Sequence, residues 1–303
     1  MSMQDESIVL SLPTSRRFSH FSPLRYPGGK ASMTGFFALL IDELGLRKPV
    51  YVEPYAGGTG AGIALLLQDR IDSLVINDLD AAVYSFWYSI LQETDAFVTL
   101  IESTPVTVDE WYRQKAVYTR CDFSHKLELG FAFFYLNRTN RSGILRAGVI
   151  GGKSQTGTYR MDARYNRVEL IQRIKNIAVL KDRVVLHHMD GKRIVRQYAS
   201  KDNVFMYIDP PYVQAGESLY LNSFTYRDHY DLSELLHAST QAHWLLTYDN
   251  ASEIHQLYDD IETFEYRLQY SACSARKETE LLIASSTVRE FLARFQETVS
   301  NSL

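Results

Sequence analysis

The stretch Glu53-Pro54-Tyr55-Ala56-Gly57-Gly58-Thr59-Gly60-Ala61-Gly62 constrains this chain more than any other. It follows directly on a short apolar run, Val50–Glu53, and leads into helical spacing over Gly62–Gln68. Glycines in such a place let the backbone turn sharply and approach a ligand that a side chain would block. Strand, glycine-rich turn and helix together form one unit of a layered α/β sheet. Further β-branched and aromatic runs at Leu74–Asp78, Val184–His188, Val204–Asp209, His243–Tyr248 and Glu280–Ser285 read as strands. Helical periodicity marks Ala81–Leu91, Arg167–Val179 and Asp231–Thr240. Runs such as Val204-Phe205-Met206-Tyr207-Ile208 are apolar without strict alternation, which is expected of a doubly wound sheet covered by helices on both faces.

The strand and helix rhythm stops between about Gln92 and Asp182, where helical and loop segments take over. The organisation expected is a lead-in over 1–22 without fixed structure, a catalytic and cofactor-binding domain from 23–91 and 182–303, and a mainly helical domain inserted over 92–181. Charge supports a special role for the insert. Between Asn137 and Arg196 stand fourteen Lys and Arg against four Asp and Glu, a local +10 in a chain whose net charge is −4. Such a zone could hold a phosphate backbone, and a solvated helix face would account for it equally. No apolar run approaches a membrane span, and Met1–Ser22 lacks the apolar core of a secretory signal. The two cysteines, Cys121 and Cys273, stand in no metal-ligand spacing, so no metal is expected and a reducing cytoplasm is the simplest setting.

Asp78, at the end of the second strand, lies 18 residues beyond Gly60, close to the ~20 expected of an acid that bonds ribose hydroxyls. Turn and acid together describe a nucleoside-bearing cofactor, although a purely structural glycine turn would look the same. A dinucleotide fingerprint beginning at Gly58 would need glycine or alanine at 63, where Ile63 stands. A phosphate-binding loop ending at Gly29-Lys30 fails twice, on Leu24 and on Ala31.

The apolar run Val204–Ile208 ends in Asp209-Pro210-Pro211-Tyr212, which places a carboxylate and an aromatic ring at the carboxyl end of a strand, where open α/β sheets bind ligands. The exocyclic amine of a base is a poor nucleophile because its lone pair is delocalised into the ring. Methylating it requires acceptors that draw the amine toward tetrahedral geometry. Asp209 and the Pro210 carbonyl can each accept one N–H. Pro210 and Pro211 fix φ and leave no N–H to compete for the carboxylate, and Tyr212 can stack on the base. Stacking worth ~1–3 kcal/mol offsets much of the cost of removing a base from the duplex. Neither cysteine follows a proline or sits in a glycine-rich loop, as a thiolate attacking cytosine carbon-5 would require.

With these motifs in order, the chain resembles the Dam-like family of DNA adenine-N6 methyltransferases from about Leu24 to Ser285. Arg25-Tyr26-Pro27-Gly28-Gly29-Lys30 is similar to the family's upstream cofactor motif, Glu53–Gly60 to its glycine turn, Asn77-Asp78 to its ribose-binding acid and Asp209–Tyr212 to its catalytic loop. The resemblance implies a doubly wound, Rossmann-like methyltransferase sheet with an inserted target-recognition domain, S-adenosylmethionine as cofactor and double-stranded DNA as substrate. It implies that Lys30 pairs with the methionyl carboxylate, that Tyr26 packs beside it, that Glu53, Gly57, Gly58 and Gly60 line the cofactor, that Asp78 takes its ribose and that Asp190 lies near its adenine.

Tyr135–Gly143 looks like the start of the target-recognition region, Gly151–Gly157 reads as a turn and Asp162–Asn166 as the return. The best-known members carry a Phe-Asn-Gly type run where Asn140-Arg141-Ser142-Gly143 stands, so a target sequence does not transfer. Asn137, Arg138, Asn140, Arg141, Lys153, Arg160 and Asn166, with Arg146 and Gln155, form a set suited to phosphates and base edges. Helix capping by the Asn residues is the alternative. Asn222 and Tyr248 follow the family pattern as contacts for the flipped base, Tyr248 standing equally well as a buried core tyrosine, and Arg276-Lys277-Glu278 precedes the final strand. The expected enzyme is a site-specific, monomeric, cytoplasmic DNA adenine-N6 methyltransferase, with restriction-modification, phage defence and replication control equally open as its setting and a cognate nuclease or defence system as a candidate partner. An enzyme for RNA adenine or cytosine-N4, and a non-catalytic DNA-binding relative, are the other readings open to the residues.

Overall fold

The computed structural model describes residues 9–10, 12, 21–25, 30–213, 224–239, 241–267 and 279–300. Eight strands form one sheet: β1 Val9–Leu10, β2 Val50–Glu53, β3 Ser73–Asn77, β4 Val184–His187, β5 Val204–Ile208, β6 His243–Asp249, β7 Phe264–Arg267 and β8 Thr279–Ala284. Their order is β1-β7-β8-β6-β5-β2-β3-β4. Pairing is parallel from β6 through β5, β2 and β3 to β4, and β8 runs antiparallel to both β6 and β7. The described residues hold eleven α-helices: α1 Thr34–Glu43, α2 Gly60–Leu67, α3 Ala81–Gln92, α4 Thr94–Ser103, α5 Val108–Arg120, α6 Lys126–Thr139, α7 Arg167–Ala178, α8 Gly191–Tyr198, α9 Tyr226–His237, α10 Ser252–Leu257 and α11 Ser286–Ser300. Among these residues no helix is long and apolar enough to cross a membrane.

Alternate side chains of each central strand enter two separate cores. Tyr51, Phe205, Tyr207, Leu245 and Leu282 pack on one face with α1, α2, α3 and α11. Val52, Met206, Ile208, Leu246 and Leu281 pack on the other with α8, α9 and α10. All five residues of β5 are buried, which is why its sequence shows no alternation. The helices between β3 and β4 belong to the first core: Phe97, Phe134 and Leu170 are continuous with Phe86, Leu74 and Tyr51. Central among them is α6, whose residues Leu129 to Thr139 are all buried, so it carries an apolar surface on every side.

Two strands differ from the sequence reading. Val9–Leu10 lies inside the stretch expected to lack structure, yet forms β1, parallel to β7 with Leu10 opposite Tyr266. The two-residue strand is too short for a periodic signal, and Leu10 and Leu12 gain burial against the sheet. The strand β7 carries the alternation Phe-Glu-Tyr-Arg, a half-buried pattern with no continuous apolar run to mark it.

Three loops are tied together by one buried amide. Asn77 Nδ2 donates to the Pro54 carbonyl at 2.7 Å and the Met189 carbonyl at 2.9 Å, and Oδ1 accepts the Met189 N–H at 3.1 Å. The Asn77 carbonyl accepts the Ala56 N–H at 2.9 Å. The loops after β2, β3 and β4 are thereby held at one edge. Asn77→Ala is expected to lower the unfolding free energy by about 3 kcal/mol, the scale of stranding buried donors and acceptors, as measured by urea denaturation.

Candidate active site

The strands β2 and β5 are neighbours, with Val50 opposite Val204 and Val52 opposite Met206. From β2 the chain winds outward through β3 and β4, and from β5 it winds the opposite way through β6. Their carboxyl ends therefore flank the crevice where the winding reverses, the place where open α/β sheets take ligands. The glycine turn leaves one side of it and the Asp209–Tyr212 loop the other.

On the glycine side, Glu53 is buried at the end of β2 and its Oε1 accepts the Gly62 N–H at 3.2 Å. A Cβ at Gly62 would stand 2.7 Å from Leu74 Cδ1 and 2.9 Å from that carboxylate, so only glycine lets α2 lie against β3 there. Gly57 donates its N–H to Asp78 Oδ2 at 2.9 Å, and its carbonyl accepts the Trp87 indole N–H at 2.9 Å. The Gly58 carbonyl accepts the Ser22 hydroxyl at 2.8 Å. A Cβ at Gly60 would meet Ala31 Cβ at 2.8 Å, so the turn packs directly beside the segment that carries Lys30. Asp190 caps α8 by accepting the Lys192 N–H at 2.8 Å, beyond the end of β4. Tyr26 lies outside the described residues, with Pro27, Gly28 and Gly29.

Burial pushes the Glu53 carboxyl up to about 8, against the opposing hydrogen bonds from neighbouring groups. It pushes Asp78 up to about 7, helped by the nearby Asp80 and opposed by the N–H groups of Asp80 and Gly57. Among the described residues neither acid has an ion-pair partner. A crevice wall with two uncompensated carboxyls suits a ligand that brings positive charge and hydroxyl donors of its own.

On the other side lies a cluster built around one ammonium. Lys30 is 5% exposed, and its Nζ donates to the Tyr212 hydroxyl at 2.9 Å, with Glu280 Oε2 at 3.2 Å and Asp209 Oδ2 at 3.5 Å. Asp209 Oδ1 accepts the Thr247 hydroxyl at 2.6 Å and lies 3.0 Å from the Tyr212 hydroxyl, which is also 3.0 Å from Glu280 Oε2. The Tyr207 hydroxyl meets Thr247 Oγ1 at 2.9 Å, and the Tyr266 hydroxyl donates to Glu280. Asp249 Oδ1 accepts the Val213 N–H at 3.0 Å and so holds the end of the Asp209–Tyr212 loop. Pro210 is buried and Pro211 half-buried between these anchors. Burial raises the Asp209 carboxyl, Lys30 pulls it down and Glu280 pushes it up.

Glu280, Thr247, Tyr207 and Tyr266 escaped the sequence reading. The one available signal was a lone acid at the head of the apolar run Leu281-Leu282-Ile283. Its meaning depends on β8 being antiparallel, since only then does the start of β8 fall at the carboxyl edge of its neighbours. Tyr248 is fully buried and bonds His229 Nδ1 at 2.8 Å, its ring centroid 6.2 Å from that of Tyr212. Asn222 and Arg276-Lys277-Glu278 lie outside the described residues, as does Cys273.

The expected DNA-contacting set divides. Arg141, Lys153 and Arg160 are exposed, with Arg146 and Arg164 beside them in the chain. Arg141 and Lys153 flank a groove floored by Trp111, Gly148, Val149 and Gly152, and Lys153 Nζ stands 5.5 Å from the Tyr112 ring centroid. The Asn residues are a correction. Asn137 is fully buried: Oδ1 accepts the Arg25 N–H at 2.8 Å, and Nδ2 donates to the carbonyls of Arg25 at 2.8 Å and Gly143 at 3.1 Å. Asn140, also fully buried, accepts the Trp111 indole N–H at 2.6 Å and donates to the carbonyls of Ile144 and Leu145. Their amides are spent inside the protein. Asn166 is exposed and caps α7 through the Glu169 N–H at 3.4 Å. Arg138 is buried, its Nε donating to the Arg164 carbonyl at 2.7 Å, and burial together with Arg25 and Arg173 lowers its guanidinium to about 9.

The model of the D12 class of N6 adenine-specific DNA methyltransferases matches residues 26–272. The type II methyltransferase M.MjaIII of Methanocaldococcus jannaschii is 24% identical over 197 residues, 61% of this chain, and the chain spans 64% of that relative's length. The structure of SMU.472 in complex with SAH overlaps 52% of this chain and 45% of its own at 13% identity and a TM-score of 0.27, too little to bear on the fold.

The raised carboxyls make stability depend on pH. An acid whose folded pKa lies above its unfolded value holds its proton more tightly when folded, so for Glu53 stability falls as pH rises from about 4.5 to about 8. The ligand-free protein should lose stability across this window. Glu53→Gln, which keeps an acceptor for Gly62 but cannot ionise, should flatten the decline, as read from urea midpoints on either side of it.

Proposed function

The chain belongs to the D12 class of N6 adenine-specific DNA methyltransferases, and on that premise we propose that it methylates the exocyclic amine of an adenine flipped out of double-stranded DNA, with S-adenosylmethionine as donor. The observation that carries this reading is the position of the Asp209–Tyr212 loop. It faces the glycine turn across the reversal of the sheet, so an amine held by one and a methyl donor held by the other meet in the same crevice.

The cofactor supplies a methyl group made electrophilic by its sulfonium. The protein supplies the rest. Asp209 Oδ2 and the Pro210 carbonyl each accept a hydrogen bond from one amine N–H, draw the nitrogen toward tetrahedral geometry and localise its lone pair on the attacking side; the N–C bond forms as the methyl–sulfur bond breaks, and the one surplus amine proton passes to Asp209. Charge that develops on the amine is met by a carboxylate already oriented by Thr247 and Tyr212, which need not reorganise during the reaction. The ring of Tyr212, anchored by its hydroxyl, offers a stacking face to the displaced base. On the donor side, Asp78 takes the ribose and Asp190 the adenine of the cofactor, and Glu53, Gly57, Gly58 and Gly60 line the turn; Lys30, reaching in from the facing wall, and Tyr26 serve the methionyl end.

The helical insert over 92–181 serves target recognition, with Arg141, Lys153 and Arg160 as its phosphate contacts. Their exposure and the groove beside Trp111 support this surface. The setting that fits is cytoplasmic, as a monomer on duplex DNA, in restriction-modification or phage defence beside a cognate nuclease.

Labelled methyl transfer from S-adenosylmethionine to unmodified duplex DNA tests the reading, with nucleoside analysis of the product. N6-methyladenine is expected; label in RNA or in cytosine would change the substrate, and no label would overturn the activity. Asp209→Ala is expected to bind cofactor within about threefold of wild type, because Glu280 still neutralises Lys30, while transfer falls by about a thousandfold or more. Changing Arg141, Lys153 and Arg160 singly to Ala should weaken duplex binding and reduce the slope of log K against log salt by about 0.9 for each phosphate no longer neutralised. Arg138→Ala should instead lower stability, since its side chain is buried.

A further inference from the structure

Two carboxylates share the one ammonium buried among the described residues, and they share it unequally. Lys30 Nζ lies 2.9 Å from the Tyr212 hydroxyl and 3.2 Å from Glu280 Oε2, but 3.5 Å from Asp209 Oδ2. A charge-assisted N–H to carboxylate bond runs at about 2.7–2.9 Å, so neither carboxylate closes tightly on the ammonium, and Asp209 is the farther of the two. Asp209 Oδ1 accepts the Thr247 hydroxyl, and the single Tyr212 hydroxyl proton is shared between Oδ1 and Glu280 Oε2, each 3.0 Å away. Its Oδ2, on a side chain one-quarter exposed, keeps acceptor capacity toward the crevice. Glu280 is 5% exposed, held by the Tyr266 hydroxyl from β7 and set opposite Asp249 of β6 by the antiparallel register.

We propose that Glu280 is a positioning residue: its carboxylate draws the Lys30 ammonium and the Tyr212 hydroxyl toward β8, and so leaves Asp209 with a basic, available oxygen for the substrate amine. The inference rests on the reading of Asp209 as the amine acceptor. Without Glu280, Asp209 is the one carboxylate among the described residues within 4 Å of the ammonium, which closes on it and competes with the amine for the same oxygen. One positive charge placed between two acids neutralises the pair only in part, which keeps the cluster from collapsing into a single tight salt bridge.

The groups facing Asp209 bear on its titration from every side. They are Lys30 ahead of α1, Glu280 on β8, Tyr51 and Glu53 on β2, Tyr207 on β5, Tyr212 on its own loop, Thr247 and Tyr248 on β6, and Tyr266, which reaches it through Glu280 and Tyr212. Of these, Lys30 lowers the Asp209 carboxyl and Glu280 raises it. Removing the Glu280 charge while keeping its shape therefore moves the Asp209 titration to lower pH.

The test uses the full chain in three forms: wild type, Glu280→Gln and Glu280→Asp. Glutamine keeps the side-chain length and loses the charge, whereas aspartate keeps the charge and loses reach. With duplex DNA and S-adenosylmethionine, Glu280→Gln should reduce kcat about tenfold or more, leave KM for DNA within about threefold, and shift the acid limb of the kcat profile to lower pH. Glu280→Asp should keep the acid limb near that of wild type. The Asp209 carboxyl is followed independently by carbon-13 NMR titration of aspartate-labelled protein without substrate, and it should move in the same direction in Glu280→Gln. An unmoved titration in a folded Glu280→Gln protein overturns the positioning role whatever the enzyme does. A moved titration with unchanged kcat overturns the link to the amine. If wild type transfers no methyl to DNA, the reading of the activity fails, and the titration still decides whether Glu280 sets the state of Asp209.

Discussion

A buried ammonium is costly to desolvate, and the carboxyl edge of this sheet is assembled around one. Lys30 stands just ahead of α1, yet its Nζ reaches groups from the loop after β5 and from β8. Removing one partner of such a cluster strands a charge in a medium that solvates it poorly, whereas the intact cluster satisfies each member. Three segments far apart in the chain are thereby required to meet. The Asp209–Tyr212 loop is held from below by Thr247 and from its far end by Asp249, both on β6, so its geometry is set by strands that are themselves buried on both faces.

The opposite wall of the crevice follows a different logic. Glu53 and Asp78 are buried without cations among the described residues, and their carboxyls are raised in consequence. One side of the crevice is thus compensated internally and the other is not. The polarity matches the task proposed for the site, since the amine acceptor must be set before the substrate arrives, while a cationic donor can supply the missing charge on binding.

The helical segment between β3 and β4 is bound to this crevice through the backbone. Asn137 brackets both main-chain groups of Arg25, and Gly143, at φ +77°, lies so close to the Arg25 carbonyl that a Cβ there would approach to 2.2 Å. Five residues on stands Lys30. The run Asn137–Gly143 is therefore a seat for the backbone of Arg25, which explains why polar residues with the composition of a DNA-reading surface are buried. The outward-facing cations, Arg141 and Lys153, come from the same short region but point to solvent across the groove at Trp111.

The sequence alone determined the layered α/β class, the glycine turn, the acid after the second strand and the Asp-Pro-Pro-Tyr loop. Each is a local pattern whose meaning comes from neighbours along the chain: an apolar run ending in a turn, or a carboxylate fixed by prolines. It also located the helical interruption and its positive charge. Only the tertiary structure decided which of the polar residues there face outward, because a helix buried on every side, such as α6, hides the periodicity that would separate its faces. Only the structure brought Glu280 to Asp209, since that meeting depends on the direction of β8 and on a strand order that no local spacing encodes. Contacts between residues close in sequence are written in propensity and pattern. Those that join Lys30, Asp209 and Glu280 exist only after the long-range pairing of strands has set their distances.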